Sequence, residues 1–144
     1  FGKTQNRPVA FVSGFGLKSG AIAASTAPDD NNIVCVGTNA EDMALAINTI
    51  TASGGGQVVV DGGKVTCRLD LPIGGIVSDI EPKAMAAKEE ALDNAARALG
   101  CKLPWPFMYM FVLQITAIPD YAITDLGLID CINLKVVDPV ETTA

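Results

Sequence analysis

The chain has 144 residues, 49% hydrophobic and 18% charged, which is one domain's worth of sequence with ample material for a core and excludes a disordered segment. Its net charge of −6 and its pI near 4.4 exclude the basic face that a nucleic-acid partner requires. No apolar run approaches the roughly 18 residues of a bilayer-spanning helix, and no membrane partner is expected.

In chain order, the apolar run Val9 to Val12 predicts a first strand after Pro8. Ala21 to Ser25 predicts a second, and the β-branched run Ile33 to Val36 a third. Between the last two lies a dense polar knot, Pro28-Asp29-Asp30-Asn31-Asn32. Two carboxylates and two amides are costly to bury unless each finds a partner, so the knot is either a solvated Asx turn or part of a site.

Thr38 or Asn39 offers a helix N-cap, and Glu41 and Asp42 complement the helix dipole in the first turn. Met43, Ala46, Ile47 and Ile50 follow at helical spacing and predict one buried face, with Ile33, Val34, Val36 and Ile47 meeting in the core. Ser53-Gly54-Gly55-Gly56 ends that helix. Gln57–Val60 and Lys64–Leu69 flank Asp61-Gly62-Gly63, a hairpin signal, with Lys64, Thr66 and Arg68 on its wet face.

Leu71 to Gly75 reads as a loop leading to Ser78-Asp79, which is placed to cap the next helix. That helix starts at Pro82 and runs to Leu99, with Ala84, Ala87, Lys88, Ala91, Leu92, Ala95 and Leu99 as its expected inner face. Leu103-Pro104-Trp105-Pro106 is a stiff linker. Phe107 to Ile118 reads as core, in a strand or short helix, although its Met and aromatic side chains could also line a flat ligand. Asp120-Tyr121-Ala122 is read as a turn and Ile132 to Val137 as the last strand.

The chemistry on offer is narrow. The sequence contains no histidine, so Ser13, Ser19, Ser25 and Ser78 have no imidazole base within the chain. Four cysteines at 35, 67, 101 and 131 form no Cys-x-x-Cys pair. They read as reduced, buried thiols, while their even number leaves disulfides open. The glycine clusters Gly14-Phe15-Gly16 and Gly54-Gly55-Gly56 lack the order of a phosphate loop and read as tight turns. Asp29 and Asp30 are the one acidic pair in the knot that could move a proton or, with Asn31 and Asn32, hold an ion. The chain starts at Phe1, without an initiator methionine or a leader-like segment, and is expected to be a fragment or a processed product.

Several blocks keep a recognisable order: GFGLK from Gly14, GAIA from Gly20, VGTN from Val36 and EDM from Glu41. They are followed by VVVDGGKV from Val58, LPIGGIVSD from Leu71, GCKL from Gly100, PFM from Pro106, IPD from Ile118 and TDLGLID from Thr124. Together, over nearly the whole chain, they resemble the C-terminal domain of adenine deaminases of the amidohydrolase superfamily. The resemblance implies an α+β domain, a mixed β-sheet with two main helices packed on it, occupying residues 1–144 as a single unit.

It further implies a catalytic barrel outside this chain, in the same or a partner chain, that holds a divalent metal (Mn, Fe or Zn). No metal ligands are expected within this chain. By the resemblance this domain covers the barrel's mouth in a cytoplasmic, homo-oligomeric enzyme of purine metabolism that hydrolyses adenine to hypoxanthine and ammonia. Its substrate-facing residues would be Asp29, Asp30, Asn31 and Asn32, with Asp29 the catalytic candidate. One departure stands out. The family reads Ala-His-Asp-Ser-His-Asn where this chain has Ala27-Pro28-Asp29-Asp30-Asn31-Asn32, so both imidazoles are replaced. A deaminase of a different heterocycle, and a stand-alone binding or oligomerisation module, are the alternatives this leaves open.

Overall fold

The computed structural model describes residues 6–27 and 32–140. Along these the elements are β1 (Ala21–Ala24), β2 (Val34–Gly37), α1 (Ala40–Ser53), β3 (Gly56–Asp61), β4 (Lys64–Asp70), α2 (Pro82–Ala98), α3 (Pro106–Val112), β5 (Tyr121–Thr124), β6 (Gly127–Asp130) and β7 (Lys135–Val137). The fold is α+β, as expected. Its strands form two sheets, β2-β1-β3-β4 and β5-β6-β7, instead of one mixed sheet. Every strand pairing is antiparallel; short turns join β3 to β4, β5 to β6 and β6 to β7, whereas β1 pairs with β3 across the intervening β2 and α1.

The inner strand β1 organises the body. Ala21, Ile22 and Ala23 are wholly buried and Ala24 nearly so. Because side chains alternate across a strand, Ala21 and Ala23 face α1 while Ile22 and Ala24 face α2 and α3. On the first side they pack with Val58, Val60, Ala46 and Ile50. On the other they join a larger core with Val59, Leu69, Leu92, Ala96, Leu99, Phe107 and Met110. The sheet is thus covered on both faces, and small alanines in β1 let both helical layers approach closely. Among the described residues no helix is long and apolar enough to cross a membrane.

The ends of α1 follow the sequence closely. Asn39 caps it by accepting from the Asp42 amide at 2.8 Å, and left-handed Gly54 closes it. Asp42 does more than complement the dipole. Its carboxylate, 4% exposed, accepts from the Gly63 amide at 2.7 Å and from Asn39 Nδ2 at 2.9 Å. These donors, Asn39 first and then Gly63, hold its carboxyl below the usual carboxylate range. The helix start is thereby tied to the β3–β4 turn, and the buried charge is satisfied.

Several expectations need correction. Residues 9–12 form no strand, and Phe11 is 87% exposed. Tyr121 and Ala122 begin β5 instead of turning, and residues 131–134 turn before β7 starts at Lys135. The N-cap of α2 is Glu81, without a side-chain bond; the Ser78 hydroxyl instead accepts from the Ile80 amide at 3.3 Å. The inner face of α2 is also turned from the expected one. Met85, Leu92, Ala96 and Leu99 face the core, whereas Ala84, Ala87, Lys88 and Ala91 are exposed. In an alanine-rich helix the large side chains, not the alanines, decide which stripe turns inward.

The four cysteines are free. Burial pushes the Cys35 thiol up to about 12, so it stays protonated and packs as a small hydrophobe.

Ile47 is 37% exposed, whereas Ala46 and Ile50 are sealed in the core. The turn of α1 that meets the sheet is therefore narrower than the apolar periodicity suggested. Ile50→Ala is expected to cost about 2–5 kcal/mol, and Ile47→Ala about 1 kcal/mol or less. Urea unfolding midpoints of the two variants check this; equal losses would contradict the packing described.

Candidate functional site

The candidate site begins where β1 ends. Ser25, 2% exposed, donates its hydroxyl to the Gly75 carbonyl at 2.6 Å and accepts from the Gly56 amide at 2.8 Å. Its own amide donates to the Gly56 carbonyl at 2.9 Å. One side chain thus staples the end of β1, the start of β3 and the loop after β4. Gly55 makes this approach possible, since a Cβ there would collide with the backbone of Gly75. The glycine cluster at 54–56 therefore serves close backbone packing.

From this staple the chain continues through Thr26 and buried Ala27 toward the polar knot. Of the four residues expected to face substrate, Asp29, Asp30 and Asn31 lie outside the described residues. Asn32 is half-buried at the return toward β2. Backbone connectivity alone places the knot between Ala27 and Asn32.

Thr26 also lines an open cleft of about 580 Å³. Gln57 of β3 and the acidic side chains Glu89, Glu90 and Asp93 of α2 contribute the polar lining. Trp105, Phe107, Met108 and Phe111 contribute an aromatic and thioether wall from α3 and its lead-in. The Met and aromatic run therefore divides: Met110 is core, Met108 and Phe111 line the cleft, and Phe107 does both.

Two groups in this cleft are poorly satisfied. Gln57 is 7% exposed, and its Oε1 receives no hydrogen bond among the described residues. Such an orphan costs about 1–3 kcal/mol. Burial, and secondarily the nearby Asp93 carboxylate, raise the Glu89 carboxyl above its ordinary value. Asp93 itself lies 3.6 Å from the Arg97 guanidinium. Nothing in the sequence pattern singled out these groups. Gln57 opens a strand-like run, and Glu89 and Asp93 sit in a helix whose charges read as solvated.

The arrangement can accept hydrogen bonds, hold positive charge and stack flat groups. It cannot supply an imidazole, because the chain has none. Among the described residues no three metal-ligating side chains converge.

Comparison with known proteins places this geometry in context. The family model described as the adenine deaminase C-terminal domain matches residues 1–135. The chain is 72% identical to adenine deaminase 4 of Rhizobium meliloti (strain 1021), over 96% of this chain and 23% of that protein. It is 55% identical to adenine deaminase 1 of Desulfotalea psychrophila, over 97% of this chain and 24% of the relative. With the adenine deaminase of Moorella thermoacetica it shares 44% identity, over 90% of this chain and 22% of the relative. The chain thus spans about a quarter of the length of the curated relatives it matches.

Glu89 gives a pH test of the cleft. Its folded pKa is raised, so the unfolded chain ionises first and stability falls as pH climbs from the ordinary glutamate range through the raised value. Glu89→Gln removes that penalty. Relative to the parent chain, the variant should gain thermal stability at pH 8 and show less gain at pH 4. Melting curves at the two values check this, and a pH-independent difference would contradict the described environment of Glu89.

Proposed function

This chain belongs to the adenine deaminase C-terminal domain family, and from that premise we propose that it closes over the catalytic barrel of a hydrolase that deaminates adenine to hypoxanthine and ammonia. The observation that carries the reading is the Ser25 staple. It fixes the end of β1, and Thr26, next in the chain before the Pro28–Asn32 segment, lines an open, polar-lined cleft. The antiparallel pair β1 and β2 flanks this segment in sequence.

On this reading Asp29 holds or orients a proton at the reacting centre, and Asp30, Asn31 and Asn32 shape the substrate's surroundings. The apolar body behind them excludes water. A divalent metal would supply an activated hydroxide in such chemistry. Among the described residues no three metal-ligating side chains converge; on this reading a manganese, iron or zinc ion would sit in the barrel of the complete enzyme. Homo-oligomeric assembly and a place in cytoplasmic purine metabolism go with this reading. Pro28 and Asn31, standing where the family has histidines, favour one second reading, a complete enzyme that deaminates a different heterocycle.

Asp29→Asn in the complete enzyme tests the proposal. An amide replaces a carboxylate well as a turn acceptor, so melting should be unchanged if folding is all that Asp29 serves. Turnover of adenine should fall at least about tenfold if Asp29 acts at the reacting centre. Unchanged steady-state kinetics would reduce the segment to scaffolding. Activity on another heterocycle, but not on adenine, would favour the second reading.

A further inference from the structure

We infer that the cleft between α2 and α3 seats an arginine side chain presented by the catalytic part of the complete enzyme; this rests on the reading of the chain as a covering domain. Three features of the lining ask for the same occupant. Glu89, Glu90 and Asp93 bring three carboxyl groups to the cleft. Arg97, 3.6 Å from Asp93, is partly engaged elsewhere through Asn94 and the Pro104 carbonyl. The cleft is therefore left with excess negative charge.

The second feature is the wall of Trp105, Phe107 and Phe111. Aromatic faces attract cations, and a planar guanidinium stacks on them better than a compact ammonium does. The third is Gln57, more than nine-tenths buried and lining the cleft, with an oxygen that has no donor among the described residues. Carboxylates and an amide oxygen all accept, and a guanidinium only donates, with five N–H groups in a fixed fork. A neutral nucleobase, which carries ring acceptors of its own, matches this lining less well.

The openness of the cleft points to a polypeptide source. Trp105 is 66% exposed and Met108 61% exposed, so the rim suits a side chain arriving with a surface better than an enclosed small molecule. Relatives are about four times the length of this chain, and on the covering reading the remainder meets this domain. Against an acidic domain of net charge −6, a basic contact is the complementary one.

Trp105 is the sole tryptophan of the 144-residue chain and therefore a built-in reporter. Titration with N-acetyl-arginine amide should give a saturable change in its emission. N-acetyl-citrulline amide, similar in shape but uncharged, should bind at least about tenfold more weakly. The Glu89→Gln/Glu90→Gln double variant, in which Glu89 is half-buried and Glu90 exposed and neither side chain's shape changes, should keep its melting transition and lose a comparable factor. An unsaturable response, or equal binding of the citrulline probe, would overturn the cation site.

In the complete enzyme the seat is already filled. The emission difference between that enzyme and its Trp105→Phe variant should then be unaffected by the arginine probe, and a full response would overturn the assigned occupant. The covering reading fails separately, through unchanged turnover in Asp29→Asn, whereas this site is read without any catalysis.

Discussion

The Ser25 hydroxyl is the constraint on which the junction of β1, β3 and the loop after β4 depends. It sits at the end of a strand buried on both faces, and it binds the backbones of Gly56 and Gly75 at once. Without it, the end of β1 would keep its ladder to β3 but lose its tie to the loop after β4. Satisfying a buried hydroxyl with two backbone partners makes the junction rigid, because each partner would otherwise be orphaned away from water. The direction in which Thr26 and Ala27 leave the sheet follows from that junction. So does the placement of Thr26 among the residues lining the cleft.

Two kinds of strain are distributed around this rigid point. Asp42, though nearly sealed from water, is fully supplied with donors and stabilises the opposite end of the sheet as an anion. Gln57 and Glu89 are the reverse case: one has an oxygen without a donor, the other a carboxyl disfavoured as an anion. Gln57 and Glu89 both line the cleft, whereas Asp42 is tied to the β3–β4 turn.

The sequence made much of the fold legible, and for identifiable reasons. Glycine and Asn39 mark the limits of α1 because left-handed and capping conformations demand those residue types. Asp61-Gly62-Gly63 marks the β3–β4 hairpin on the same ground. What periodicity could not decide was the rotation of α2, where alanine fits either face and only Met85, Leu92 and Leu99 break the tie. Phe11 and Val9 misled in the other direction: β-branched and aromatic content suggests a strand, but no neighbouring edge pairs with residues 9–12. The short β5-β6-β7 sheet was half visible, since its hairpin turns lie among residues that alternate poorly.

The site was legible only in outline. The ordered motifs across the chain pointed to its family, and the polar knot departs at Pro28 and Asn31 from the pattern that the resemblance implies. The cleft was invisible because its lining is assembled from β3, α2 and the α3 lead-in, which lie far apart in sequence. Gln57 is unremarkable in a strand until its oxygen is found without a donor.

The claim that Ser25 positions the covering segment is tested most directly by Ser25→Ala in the complete enzyme, read by hydrogen exchange at the Gly56 amide together with turnover. The account predicts that the variant folds, that Gly56 loses protection, and that turnover falls with it. Faster exchange at Gly56 with unchanged turnover would contradict it, because the staple would then hold the sheet without positioning anything that acts on substrate.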